Sequence, residues 1–119
     1  MANSIGVLGE NLALDYLKKK NYHLVDRNFR SRYGEIDLIC EKNNTLFFVE
    51  VKTRIGTTKG MPYEAVNTIK LAHLKKAIYY YLIINSSTDR KLRVDVISII
   101  LAFDRSVVEI RHLENVEVE

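Results

Sequence analysis

An α/β fold is predicted for this chain, with a mixed central β-sheet of about five strands flanked by helices in the order αβββαββ. Two segments carry apolar residues at helical spacing, and five shorter segments are alternating or continuous apolar runs bounded by turn residues. The chain has 119 residues, of which 47% are hydrophobic and 28% charged, which fits a single domain over residues 1–119. One modest hydrophobic core is expected at this size.

The first helix is expected over residues 5–19. Ser4 can cap its N-terminus, and the lysines at its end suit the negative pole of the helix dipole. Its apolar positions, at helical spacing, are Ile5, Leu8, Leu12 and Tyr16. A strand is predicted next, over residues 22–29, followed by a turn over residues 32–34.

A β-hairpin is predicted over residues 35–54, with its turn at Asn43 and Asn44 because asparagine tolerates positive φ. If the turn has two residues, Lys42 pairs with Thr45. This register places Asp37 opposite Glu50 and Glu35 opposite Lys52. The same register predicts one apolar face, on which Ile36, Leu38 and Cys40 lie opposite Val51, Val49 and Phe47.

The remaining elements are a loop, a second helix and two strands. The loop over residues 55–61 contains two glycines, and the helix is expected to begin at Pro62, to have Glu64 in its first turn and to end near residues 85–87. Its expected apolar face comprises Val66, Ile69, Leu74, Ile78 and Tyr81. The last two strands are predicted over residues 91–101 and 107–113.

The sequence predicts a cytoplasmic protein without membrane contact. The N-terminal residues before Ser4 lack a basic segment followed by an apolar one, so we expect no signal peptide. No apolar run approaches the roughly 18 residues typical of a membrane span. The single cysteine, Cys40, cannot form an internal disulfide, and its alternating apolar surroundings are typical of a small buried residue.

Positive charge is concentrated in the first part of the chain. Residues 1–94 contain 16 Lys and Arg against 9 Asp and Glu, a net charge of +7, whereas residues 95–119 contain 2 against 6, a net charge of −4. This balance favours a polyanionic partner such as nucleic acid. A solvated basic surface explains the charge equally well.

The polar face of the hairpin carries the residues with the clearest chemistry. Asp37 and Glu50 side by side would repel each other unless a cation compensates, and carboxylates suit Mg²⁺ or Mn²⁺. Such an ion, with the Val51 carbonyl as a further ligand and Lys52 beside an attacking water, could hydrolyse a phosphodiester bond. The alternative is a ladder of cross-strand ion pairs, which accounts for Glu35 with Lys52 but not for Asp37 opposite Glu50.

Asp37, followed on the next strand by Glu50-Val51-Lys52, resembles the core motif of the PD-(D/E)XK nucleases. Residues 6–10, 27–30, 34–39, 48–54 and 62–66 resemble the bacterial YraN-type family of predicted endonucleases, which is similar to archaeal Holliday-junction resolvases. The chain departs from the motif at Ile36, where a proline often precedes the aspartate.

The resemblance implies a restriction-endonuclease-like core and a Mg²⁺-type active site in which Glu10, on the first helix, is a further acidic residue. Without the resemblance, Glu10 would be interpreted as a surface glutamate. It also implies DNA as the substrate, branched or single-stranded, and a homodimer. The alternative function is a non-catalytic nucleic-acid-binding module that keeps the nuclease fold.

Other residues are open to two interpretations. Four arginines flank the proposed site, and we expect some of them, with two lysines, to contact the nucleic-acid backbone: Arg27, Arg30, Arg32, Arg54, Lys59 and Lys70. Lys70 could equally lie on a solvated helix face. Tyr79 to Tyr81 could stack on bases or belong to the core. Glu35 is expected to pair with Lys52 or Arg54, Glu64 to stabilise a helix start, and Asp95 to be structural.

Overall fold

The computed structural model describes residues 4–86 and 89–116. Its helices are α1 (Ile5–Lys19) and α2 (Thr68–Asn85), and its strands are β1 (His23–Ser31), β2 (Gly34–Lys42), β3 (Thr45–Ile55), β4 (Lys91–Leu101) and β5 (Val107–Leu113). The strands form one mixed sheet in the order β1-β2-β3-β4-β5, with β3 and β4 parallel and the other neighbours antiparallel. The predicted α/β class and element order are confirmed. The expectations for the residues before Ser4 and for Ser87 lie outside the described residues.

Helix α1 covers one face of the sheet. As predicted, the Ser4 hydroxyl caps it by accepting a hydrogen bond from the Val7 amide at 3.2 Å. Its apolar stripe packs on inward-facing residues of β2, β3 and β4, forming a core that includes Ala13, Leu14, Leu17, Leu38, Cys40, Phe47, Val49, Ile97 and Ile99. Cys40 is buried in this core, and burial raises the pKa of its thiol to about 11.

Gly9 is the point at which α1 comes closest to β3. A Cβ atom at this position would lie 1.8 Å from the Thr53 hydroxyl oxygen and 2.8 Å from the Thr53 Cβ. The helix can therefore approach the strand only because residue 9 has no side chain. This contact places the neighbouring residue, Glu10, beside the sheet.

Helix α2 covers the other face, where it packs on Ile36, Ile39, Leu46 and Phe48 through Leu74, Ala77, Ile78 and Tyr81. The prediction of one helix from Pro62 was wrong, because a separate 3₁₀ turn spans Pro62–Ala65 and Val66 leaves the helical region at φ −93° and ψ 83°. Helix α2 begins after Asn67, whose side chain accepts a hydrogen bond from the Lys70 amide at 3.0 Å. The prediction for Ile69 was also wrong, because this side chain is 70% exposed.

The β2–β3 hairpin has the predicted turn. Asn43 and Asn44 have φ values of 49° and 59°, and Lys42 pairs with Thr45. The predicted register holds along the ladder as far as the pair Leu38 and Val49, where the ladder ends. Beyond this pair β2 separates from β3, so neither Asp37 with Glu50 nor Glu35 with Lys52 pairs in the ladder as predicted.

Ile36 lies on the opposite face from that predicted. It packs in the α2 core, whereas Leu38 and Cys40 pack in the α1 core. The alternation of β2 is therefore interrupted at Asp37. On the neighbouring strand, Asn28 adopts a left-handed φ of 54° between the residues that pair with Leu38 and Ile36.

Within residues 4–86 and 89–116, no helix is long and apolar enough to cross a membrane.

Candidate active site

Asp37 lies where β2 separates from β3. Its Oδ2 accepts a hydrogen bond at 2.8 Å from the backbone amide of Val51 on β3. The carboxylate therefore bridges the two strands just beyond the end of their ladder. The interruption of β2 gives Asp37 this position, because regular pairing would have continued through it.

Glu50 directly precedes Val51 on β3, and its side chain extends into the region of Asp37 from the α2 face of the sheet. It is only 4% exposed. Its Oε2 lies 3.4 Å from the Lys70 Nζ on α2, and its Oε1 is buried without a hydrogen-bond partner among the described residues. A buried carboxylate oxygen without a partner is costly, and it is a position from which a cation could be coordinated.

The two carboxyl groups perturb each other. Burial raises the pKa of Asp37, and burial followed by repulsion from Asp37 raises the pKa of Glu50 to about 7. The Val51 amide and the Lys70 ammonium oppose these shifts. At neutral pH the pair therefore either retains a proton or needs more positive charge than Lys70 provides. Two oxygen donors that need positive charge fit a hard divalent cation.

Lys52 follows Glu50 by two residues on β3 and is partly buried. It forms no hydrogen bond or ion pair with the described part of the chain. Its predicted partner, Glu35, instead pairs with Arg30 at 3.6 Å. The predicted ladder of Glu35 with Lys52 is therefore not formed, and Lys52, two residues after Glu50 on β3, keeps an ammonium group without a partner in the described part of the chain.

Lys70 has a role that sequence reasoning missed. It was expected to contact phosphate or solvent, but it forms the ion pair with Glu50 from the first turn of α2. Half of its side chain, 51%, remains exposed, so the ammonium group can still reach solvent. No local pattern could have identified this contact, because it depends on where α2 docks on the sheet.

Glu10 approaches the site from α1. Its Oε1 lies 3.7 Å from the Arg27 guanidinium, and its pKa is raised by burial and then by repulsion from Asp37. Glu10, Asp37 and Glu50 do not form a compact three-ligand group of the kind in which all ligand atoms lie within 4.8 Å of one another. The structure thus brings together two carboxylates from β2 and β3, with a third carboxylate beside them.

Comparison with known proteins shows the family of this chain. The profile described as "Uncharacterised protein family UPF0102" matches residues 9–99. The chain belongs to the UPF0102 family. A UPF0102 protein of Syntrophomonas wolfei is 46% identical over 97% of this chain and 98% of its own length. Those of Alkaliphilus oremlandii and Caldicellulosiruptor bescii are 44% and 41% identical over 97% and 93% of this chain and 98% and 94% of their own lengths. The predicted YraN-type membership is confirmed.

The arginines predicted to bind phosphate have partners within the UPF0102 chain. Arg27 donates a hydrogen bond to Asn11 at 2.6 Å, and Arg32 donates one to the Tyr33 hydroxyl at 2.9 Å. Arg54 donates to the Lys59 carbonyl and so holds the loop that precedes the 3₁₀ turn. Arg30 is largely exposed beside Glu35, and Lys59 is exposed. Arg30 and Lys59 are thus accessible to a partner, as is Arg32, which is also exposed.

A second polar cluster lies on the α1 face of the sheet. Asp95 is fully buried, and both of its oxygens accept hydrogen bonds from the Arg93 guanidinium at 2.9 Å. His112 and the Asn115 amide complete its shell at 2.7 Å and 2.9 Å. Asp95, His112 and Glu114 offer three ligand atoms within 4.8 Å, but the Arg93 guanidinium already pairs with both carboxylates. The arrangement agrees with the structural role expected of Asp95.

Proposed function

We propose that this UPF0102 protein is a metal-dependent nuclease that hydrolyses phosphodiester bonds in DNA, with Asp37 and Glu50 holding Mg²⁺ or Mn²⁺. The observation that carries the proposal is the buried, unpartnered Oε1 of Glu50 beside Asp37. A divalent cation at these oxygens would neutralise phosphate charge and lower the pKa of a nearby water. The Val51 carbonyl is the further ligand that we propose.

Lys52 and Lys70 would have different roles in the reaction. Lys52 has no partner in the described chain, so its ammonium group can orient the attacking water or stabilise negative charge that develops on the phosphate. Lys70 now neutralises Glu50 at 3.4 Å and, being half exposed, can turn to a phosphate when another cation takes its place. Glu10 adds negative charge from α1, which would strengthen cation binding.

The surrounding charge suits a nucleic-acid substrate. Residues 1–94, which include the whole site, have a net charge of +7. Accessible cations such as Arg30 and Lys59 can contact the phosphate backbone, with Arg27, Arg32 and Arg54 nearby once their intrachain contacts exchange. The single buried thiol of Cys40 supports a cytoplasmic location, where such a substrate is present.

A non-catalytic nucleic-acid-binding module is the second candidate, and the basic charge alone would suit it. A pure binder, however, gains nothing from a buried carboxylate oxygen without a partner, because that oxygen costs about 1–3 kcal/mol of stability. The acidic pair therefore favours the nuclease.

The test is a cleavage assay with Mg²⁺ or Mn²⁺ on duplex, single-stranded and four-way-junction DNA. We expect the wild-type protein to cut at least one of these substrates, and Asp37→Asn and Lys52→Met each to reduce the rate by about 10²-fold or more. Lys91→Met, at the exposed start of β4, is the matched control and should cut normally.

Metal binding gives a second readout that does not depend on cleavage. Mn²⁺ should raise the melting temperature of the wild-type protein but not that of Asp37→Asn. Absence of cleavage and of any metal-dependent stabilisation, together with DNA binding that Asp37→Asn leaves unchanged, would establish the non-catalytic module instead.

A further inference from the structure

A group of exposed aromatic rings lies on the outer side of α2, away from the core. We call it the tyrosine patch: a shallow depression of about 310 Å³ lined by Tyr33, Lys76, Tyr79, Tyr80 and Ile83. Tyr79 is 55% exposed, Tyr80 is 38% exposed and Ile83 is 76% exposed. Tyr33 joins them from the β1–β2 turn, with its ring centroid 5.8 Å from that of Tyr80.

Folding does not account for these rings. Of the three consecutive tyrosines on α2, Tyr81 is buried and fills the core, which leaves Tyr79 and Tyr80 turned outward. The Tyr80 ring packs obliquely on Phe29 with centroids 6.1 Å apart, which fixes its position without covering it. Several exposed apolar side chains in one place are typical of a binding surface.

The charges around the rings are positive. The Arg32 guanidinium lies 5.0 Å from the centroid of the Tyr33 ring, and the Lys75 ammonium lies 5.8 Å from that of Tyr79. Lys76 belongs to the lining, which includes no acidic residue. Aromatic rings alternating with cations are the arrangement by which proteins bind single-stranded nucleic acid, because the rings stack on bases and the cations contact phosphates.

A second copy of the chain is less well suited to this surface. A symmetric contact through the patch would bring the Lys75, Lys76 and Arg32 cations of one copy against the same cations of the other. Such a contact lacks the charge complementarity that a nucleic-acid strand provides.

The patch lies at a useful distance from the candidate active site. Lys70, which contacts Glu50, and Tyr79 are nine residues apart on α2, which is about 14 Å along the helix axis and about half a turn around it. At about 3.4 Å per stacked nucleotide, a strand that connects them therefore needs at least roughly four nucleotides. The β1–β2 turn that carries Tyr33 lies against the second turn of α2, where Gly34 approaches His73.

We propose that the tyrosine patch binds unpaired bases of a DNA strand that passes the active site, so the preferred substrate has a single-stranded segment of about four or more nucleotides beside the scissile bond. This inference rests on the proposed function for its connection to cleavage. The stacking itself depends only on the patch.

The experiment measures the binding of labelled oligonucleotides in EDTA, where no metal-dependent cleavage takes place. We expect the double variant Tyr79→Leu/Tyr80→Leu to bind a single-stranded oligonucleotide at least about tenfold more weakly than the wild-type protein. The matched control, Tyr79→Phe/Tyr80→Phe, keeps the aromatic faces and should bind within about twofold of wild type. Affinity for blunt duplex should be the same in all three proteins, and thermal unfolding monitors their folding. Wild-type affinity of the leucine variant for single strands would overturn the proposal.

The two proposals can fail separately. If the leucine variant loses single-strand binding and none of the proteins cleaves DNA in Mn²⁺, the proposal for the tyrosine patch stands and the nuclease proposal is wrong. If blunt and single-strand-bearing substrates are cleaved at equal rates, and the leucine variant cleaves both at the wild-type rate, the nuclease proposal stands and the proposal for the tyrosine patch is wrong. If light scattering shows a dimer that Ile83→Glu dissociates while oligonucleotide binding is unchanged, the patch is a contact between copies and the proposal is overturned.

Discussion

Glu50 is a buried acid whose ionisation opposes folding. Burial and the neighbouring Asp37 raise its pKa to about 7, against an ordinary value of 4.5 that serves for the unfolded chain. Because the unfolded chain releases this proton first, stability is lost as the pH rises from about 4.5 to 7, and the loss is complete above pH 7. The pH dependence of stability is opposite in direction to that produced by an acid stabilised by a salt bridge.

Glu50→Gln should therefore stabilise the metal-free protein at high pH. The amide keeps the shape of the side chain and removes the charge, so we expect a gain on the order of 2–3 kcal/mol at about pH 8 that disappears near pH 4. Urea unfolding in EDTA at both pH values measures it. Glu64→Gln, at an exposed position in the 3₁₀ turn, is the control for the amide substitution. A glutamine variant less stable than wild type at the higher pH would refute this account.

The sequence predicts some site residues and not others for a physical reason. The two-residue turn at Asn43 and Asn44 sets the register of β2 and β3 as far as Leu38 and Val49, and Asp37 and Glu50 are the next residues on the two strands. The ion pair between Glu50 and Lys70 depends on the docking of a helix, for which no local rule exists. The reversal of Ile36 lies beside a left-handed Asn28 on β1, and asparagine tolerates that conformation without requiring it.

Among the secondary-structure elements, the contact between α1 and β3 depends on a missing side chain. Gly9→Ala should destabilise the protein by about 1–3 kcal/mol, because the new Cβ collides with Thr53 and must displace it. Gly6→Ala, on the same helix, is the control, since its nearest neighbour would be the Ser4 hydroxyl at 4.0 Å. It should be neutral or slightly stabilising, because alanine favours a helix over glycine.

A double-mutant cycle in urea assigns the cause. Thr53→Ala should recover part of the loss in Gly9→Ala, because it removes the colliding hydroxyl and methyl groups. Strict additivity of the two substitutions would show that the collision is not the cause.

The start of α1 was predictable from its capping residue, whereas the start of α2 was not. Ser4 begins α1 as expected, whereas α2 begins six residues after Pro62. The proline does start a helical turn, but the chain leaves the helical region at Val66 and restarts at the Asn67 cap. Both positions carry acceptable start residues, so the sequence alone could not choose between one helix and two.

At the scale of the whole molecule, the Asp95 cluster joins the last strand to the sheet. Burial alone would raise the pKa of Asp95, but hydrogen bonds from His112 and Arg93 outweigh it and lower the pKa to about 2. Stability from this group is present above about pH 4 and is lost as the pH falls toward 2. The cluster links β4 with β5 and the segment that follows it.

Asp95→Asn should cost about 3 kcal/mol at neutral pH, since it leaves the Arg93 guanidinium without its main counter-charge. The difference from wild type should narrow as the pH falls from about 4 to 2, as measured by thermal unfolding. Asp104→Asn, in an exposed turn, is the control and should cost much less. An effect of Asp95→Asn that stays constant over this pH range would argue against a charge-based role.

The mixed sheet and its order of elements were predictable because each strand has its own apolar run and turn. The buried cluster around Asp95 was not, because two of its partners, His112 and Asn115, lie 17 and 20 positions later in the chain. In the same way, the charge pattern indicates a polyanion without indicating where it lies on the molecule.

The burial of Cys40 makes the chain its own reporter of unfolding. With its pKa raised to about 11 and its side chain in a central strand, this thiol should resist alkylating reagents until the sheet opens. The rate of modification then reports the opening of the sheet. Because this is the chain's only thiol, a cysteine introduced on the surface could carry a fluorophore selectively while the native one stays shielded.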